Sequence, residues 1–157
     1  MQNFRELHVW QRAHAFALNI RRVAEGLPRT GYTDLKSQLT RASQSIVDNI
    51  VEGCGASSRL EFARYLDISI KSTSEVDYQL ELTRDLDLIS SDVWKPLASE
   101  VIEIRKMLSA LRRSVLTAAN RDKKLRASTN QTTSKKGRNA IAKRPRAKMP
   151  KDAGTDD

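Results

Sequence analysis

Residues 91–118 read SDVWKPLASEVIEIRKMLSALRRSVLTA. Trp94, Leu97, Val101, Ile104, Leu108, Leu111 and Val115 recur there at steps of three and four. An α-helix turns once in 3.6 residues, so these side chains share one side of a rod. The rod begins at Ser91 or Asp92. Proline is tolerated only in a first turn, so Pro96 favours Asp92 as the cap. A rod with one apolar side must bury it against other elements, and the rest of the chain supplies three more rods.

Immediately upstream, Ser58 followed by Glu61 has the spacing of a capping box. Phe62, Leu66, Ser69, Thr73, Val76, Leu80 and Thr83 then line one side of a helix ending near Asp87. Further back, Leu35, Leu39, Ala42, Ile46 and Ile50 stripe a helix over about Thr33 to Glu52. Gly53-Cys54-Gly55 stops it, with glycine offered where a left-handed residue is wanted. The first helix spans about Leu7 to Gly26. Its seam is Val9, Ala13, Phe16, Ile20 and Val23, with Leu27 just past its end, and Pro28 follows. At 1.5 Å per residue each rod is roughly 30–40 Å long. No segment sustains the alternation of a strand, and the three connections are short. Short loops between long helices make neighbours antiparallel. The fold class predicted is all-α, an antiparallel up-down-up-down four-helix bundle over residues 1–118.

Residues 119–157 differ in kind. The bundle segment holds 16 Lys and Arg against 15 Asp and Glu, a net of +1. The remaining segment holds 12 against 4, a net of +8, with one Leu, one Ile, one Met and no aromatic. Such a composition buries too little apolar surface to offset the entropy of ordering, so a disordered basic tail is expected. The candidate phosphate-binding cations are Lys123, Lys124, Arg126, Lys135, Lys136, Arg138, Lys143, Arg144, Arg146 and Lys148. Flexible cations of this kind bind phosphate by releasing counterions, and they lack the interleaved aromatics that stack bases.

A lone cysteine, Cys54, precludes an internal disulfide and fits a reducing cytoplasm. The N-terminus MQNFRELHVW has no apolar core of a signal peptide, and no run of 18 apolar residues suggests a membrane span.

Helices 2 and 3 carry more than a core face. On a wheel starting at Leu35, Gln38, Arg41, Ser45, Asn49 and Glu52 form a stripe at about −40° to −120°, beside the apolar one. On helix 3, Glu61, Ser72, Glu75 and Gln79 cluster at about −80° to −140° from Phe62. A merely solvated face favours Lys and Glu, whereas this one mixes serines with charges of opposite sign. A half-buried hydrogen-bonded seam is expected, either between helices 2 and 3 or between subunits. Such a seam sets register more than it adds stability.

These residues carry a resemblance. FRELHVWQRAHAFALNI (4–20), LKSQLTRASQSIVDNIVEG (35–53) and SRLEFARYLDISIKSTSEVDYQL (58–80) resemble the four-helix-bundle proteins encoded in intervening sequences of bacterial 23S ribosomal RNA genes. The likeness covers roughly residues 4–118 and stops before the tail. It implies a homopentamer of bundles arranged as a barrel, no established enzyme activity, and association with RNA or ribonucleoprotein. The accessory variability protein of diversity-generating retroelements is a more distant likeness. By position the resemblance picks out Gln38, Arg41, Ser45, Asn49, Glu52, Gly53, Glu61, Phe62, Ser72 and Glu75 as joint or interface residues.

Catalytic chemistry finds little footing. A di-iron carboxylate bundle needs Glu-x-x-His on two helices. The only histidines, His8 and His14, sit about 120° apart on helix 1, and neither follows a glutamate at that spacing. Cys54 has no histidine near it in sequence, and no phosphate-cradling Gly-x-x-x-x-Gly-Lys-Ser/Thr run occurs. A pocket gathering Glu52, Glu61 and Glu75 with shifted pKa values would be the exception. No metal, cofactor or small-molecule substrate is expected. The predicted function is a non-enzymatic oligomer that associates with nucleic acid, RNA above all. The rival is an adaptor that presents a surface to a protein such as a polymerase.

Overall fold

The computed structural model describes the backbone of residues 3–141 and the side chains of residues 3–127. After a short 3-10 turn at Phe4–Glu6 come four helices: α1 at His8–Gly26, α2 at Thr33–Cys54, α3 at Arg59–Asp85 and α4 at Ser91–Ile141. No strand occurs among the described residues. The apolar seams meet as periodicity predicts. Phe16, Ile20, Leu39, Ile46, Ile50, Leu66, Leu80, Val101, Ile104 and Leu108 are essentially inaccessible. Val23, Trp94, Leu111 and Val115 lie at the edge of that core, partly covered.

Paired side chains give the direction of the helices. Between α2 and α3, Gln38 faces Gln79, Ser45 faces Ser72, and the Ile46 carbonyl faces Ser69. Between α3 and α4, Asp67 pairs with Arg112 and Asp77 with Arg105. In both cases numbers rise on one helix as they fall on the other, so neighbours run antiparallel. Arg12 on α1 grips Glu100 on α4 through two hydrogen bonds, closing the circuit.

Helix ends follow local chemistry, with three corrections to the sequence reading. The capping box is present: the Ser58 hydroxyl accepts from the Glu61 amide at 3.2 Å. At the far end of α3 the chain turns through Asp87 in the left-handed region, φ 54. The Leu88 and Asp87 amides donate back to the Thr83 and Arg84 carbonyls there, a Schellman arrangement. The first correction concerns α2, which continues through Cys54, so this residue is a buried helical residue and not a loop one. Second, Gly55 caps α2 at φ −85 and ψ −6, so no left-handed glycine is used at this stop. Third, α4 starts at Ser91, one of the two starts expected, but the favoured Asp92 is not its cap: the Val93 and Trp94 amides donate to the Ser90 carbonyl. Pro96 therefore falls in the second turn. Asp92 and Pro96 are both exposed, so the Asp92 carbonyl left without a helical donor can bond water.

The chain divides into two compact units, residues 1–120 and 121–157. The first contains the bundle. In the second, Arg121 to Ala127 all have exposed side chains, as expected of a segment with no core of its own. The backbone there is nonetheless helical through Ile141. Of the predicted tail cations, Lys143, Arg144, Arg146 and Lys148 lie outside the described residues, as do the side chains of Lys135, Lys136 and Arg138. No described helix is long and apolar enough to cross a membrane.

Candidate functional site

The polar stripes of α2 and α3 meet along one crossing. Ser45 Oγ and Ser72 Oγ are 2.9 Å apart, and Asn49 Nδ2 donates to both the Ser45 carbonyl and its hydroxyl. Gln79 Nε2 donates to Gln38 Oε1 at 2.9 Å. The buried Ser69 hydroxyl donates across the interface to the Ile46 carbonyl at 2.7 Å. Small hydroxyl residues let the two backbones approach, and these bonds give the buried Ser69 and Ser72 hydroxyls and the Gln79 amide nitrogen a partner. Thus Gln38, Ser45, Ser72 and Gln79 join α2 to α3 within one chain, while Asn49 bonds Ser45 within α2.

Gly53 and Phe62 close the end of this crossing. A Cβ on Gly53 would lie 2.6 Å from Cδ2 of the buried Phe62 ring and 3.0 Å from Cβ of Tyr65. This glycine is there for the close approach of α3, not for an unusual backbone angle. Beside it, Glu61 accepts from the Ser57 hydroxyl at 2.7 Å and the Ser57 amide at 2.9 Å. These bonds favour the ionised carboxylate and hold it below its ordinary pKa of 4.5.

The sign of that shift sets a pH dependence. A depressed folded pKa gives stabilisation that is present above the ordinary value and lost as pH falls through the folded one. Thermal melts from pH 6 down to pH 3 should show the wild type losing stability on acidification. Glu61→Gln should give a shallower acid limb. Superimposable limbs would deny Glu61 this role.

Three seam residues have no role in the joint. Glu52 is exposed at the end of α2. Arg41 and Glu75 are exposed and line one hollow of about 560 Å³ with Gln38, Ala42 and Ser45. Despite their opposite signs, no hydrogen bond or ion pair joins them. Glu61, Glu75 and Glu52 do not form a carboxylate cluster: Glu61 is committed to Ser57, and its pKa moves opposite to what a general acid requires. Burial pushes the Cys54 thiol up, away from the nucleophilic thiolate. No group of three or more His, Cys, Asp or Glu among the described residues could hold a metal. His14 lies stacked on Trp10, ring centroids 5.1 Å apart.

The α3–α4 clasp was not read from the sequence. Arg105 donates from Nε to the Thr73 hydroxyl at 3.0 Å, and from Nη2 to Asp77 at 2.7 Å and to the Thr73 carbonyl. The available signal was an arginine directly following the core residue Ile104, where a cation has to reach across to a partner.

The fold and its seam define a class: an antiparallel helical bundle held in register by polar joints, with no assembled catalytic constellation among the described residues. The chain belongs to the 23S rRNA-intervening sequence protein family, whose model matches residues 5–110. A solved structure from Bacteroides thetaiotaomicron VPI-5482, described as a protein of unknown function from the S23 ribosomal protein family, is similar at 27% identity. The match has a TM-score of 0.63 and covers 66% of this chain and 97% of that one. Neither description names a reaction. No curated protein matches the sequence.

Proposed function

We propose that the protein is a non-enzymatic, cytoplasmic oligomer that associates with RNA or ribonucleoprotein, its basic C-terminal segment acting as an electrostatic grip. The observation that carries this reading is the charge division: +8 beyond residue 118 against +1 before it, with Arg121, Lys123, Lys124 and Arg126 exposed. Polyphosphate is the partner class for such a segment, and membership of a family named for an rRNA intervening sequence favours RNA. Assembly, as a homopentamer by resemblance, would multiply weak contacts by avidity.

A second reading, the adaptor, draws on α3. Leu60, Ile68 and Tyr78 are 58%, 44% and 60% exposed on its outward side, apolar surface suited to a subunit or a protein partner.

Binding to generic single-stranded RNA separates the two. The full chain and a chain ending at Asn120 would be titrated at 50 and 200 mM salt. If the tail engages about four phosphates, affinity of the full chain falls about 50-fold over that range. The shortened chain should bind at least about tenfold more weakly at low salt. Equal affinity of the two chains would remove the tail's role, and absence of binding by both would favour the adaptor.

A further inference from the structure

The folded bundle has its own uneven charge, apart from the tail. Residues 21–41 contain five cations, Arg21, Arg22, Arg29, Lys36 and Arg41, against Glu25 and Asp34, a net of +3. Residues 48–87 contain nine carboxylates against four cations, a net of −5. The near-neutral total hides a basic segment and an acidic one.

Five other cations of the bundle are neutralised in place by ion pairs. Arg12 pairs with Glu100, Arg84 with Asp85, Arg105 with Asp77, Lys106 with Glu103 and Arg112 with Asp67. Arg21, Lys36 and Arg41 have no hydrogen bond or ion pair among the described residues. All three wall a single hollow of about 380 Å³ between α1 and α2, together with the hydroxyl residues Ser37 and Thr40, Ala24, and one carboxylate, Glu25. Like charges gathered around a concavity repel one another and disfavour the fold. An anion seated among them relieves that repulsion.

We infer that this α1–α2 hollow is a contact site for the phosphodiester backbone of RNA, formed by Arg21, Lys36 and Arg41 and separate from the tail. The inference rests on the RNA reading above and adds a site within the folded part. The two guanidinium groups offer forked donors that match phosphate oxygens, and the lysine adds a point charge. No aromatic side chain lines the hollow, so bases are not stacked there. The contact positions the strand without reading its sequence.

The test uses the full chain and a fluorescein-labelled 20-nucleotide oligouridine RNA, titrated between 50 and 200 mM salt. Arg21→Gln, Lys36→Gln and Arg41→Gln are combined in one variant. A control variant combines Lys71→Gln, Lys95→Gln and Arg113→Gln, which removes equal charge at exposed positions on α3 and α4. With about 0.7 counterions released per single-strand phosphate, the hollow variant should flatten the slope of log K against log salt by about 2. At 50 mM salt it should bind at least tenfold more weakly, while the control changes less than about twofold. Its melting temperature should match or exceed that of the wild type, since the three cations hold nothing together. Equal slopes for the two variants would overturn the hollow and leave the tail reading standing. A wild-type chain that binds no RNA would overturn both.

Discussion

Gly53→Ala is expected to destabilise the protein by about 1–3 kcal/mol, the usual cost of forcing an extra methyl into a packed core. The sign makes the test sharp. Gly53 is a helical residue of α2, and glycine to alanine within a helix ordinarily stabilises by roughly 0.5–1 kcal/mol. Here the new Cβ would sit 2.6 Å from Phe62 Cδ2 and 2.9 Å from Cε2, and the ring is buried and cannot swing clear into solvent. Either the ring leaves its rotamer or α3 moves off α2. The melting temperature should drop by about 5–10 °C, at several degrees per kcal/mol for a domain of this size. Gly55→Ala provides the contrast. Its Cβ would meet the Glu52 carbonyl at an ordinary 3.4 Å, and φ is −85, so alanine fits without strain. Stability there should hold or rise slightly. Combining Gly53→Ala with Phe62→Leu should restore part of the loss, as contacting residues do in a double-mutant cycle. A Gly53→Ala protein as stable as the wild type would contradict the packing of α2 on α3.

A second pair of substitutions marks where the packed part of α4 ends. Leu108 is completely buried, whereas Leu125 on the same helix is 65% exposed. Leu108→Ala removes buried methyl groups and leaves a cavity, which should cost about 2–5 kcal/mol. Leu125→Ala truncates a largely exposed side chain and should change stability by less than about 0.5 kcal/mol. Denaturant unfolding of the two variants reads this directly. A comparable loss from Leu125→Ala would mean that the basic segment is packed against something, which its composition opposes. Between these positions α4 passes from buried side chains to exposed ones.

The seams of α1, α2, α3 and α4 were legible because periodicity is a local property. Ile46 and Ile50 declare their shared face within their own helix, whatever packs on it. The same wheel placed Ser45, Ser72, Gln38 and Gln79 beside the core, and in the structure they meet one another. It did not foresee Ser69 donating to the Ile46 carbonyl, because a serine on an apolar face reads as a small core residue. Arg41 and Glu75 show the converse. Their complementary signs suggested a bridge, yet each is exposed and they share only the wall of a hollow. Opposite charges near a surface gain too little from pairing to hold two long side chains together.

What the sequence determined by itself was the set of rods, the faces they bury, and the point where apolar support for the chain runs out. Each of these follows from composition and from repeats shorter than two helical turns. Which residues face each other was decided by tertiary structure, through the register of helices joined by short loops. That register sets Gln38 against Gln79 and Ser45 against Ser72, brings Phe62 against Gly53, and folds Arg21 toward Lys36 and Arg41 around one hollow. The physical reason is that hydrogen bonds, steric fit and charge clustering act over a few ångströms in space. Residues that far apart in sequence come within such distances only once the four apolar faces have closed.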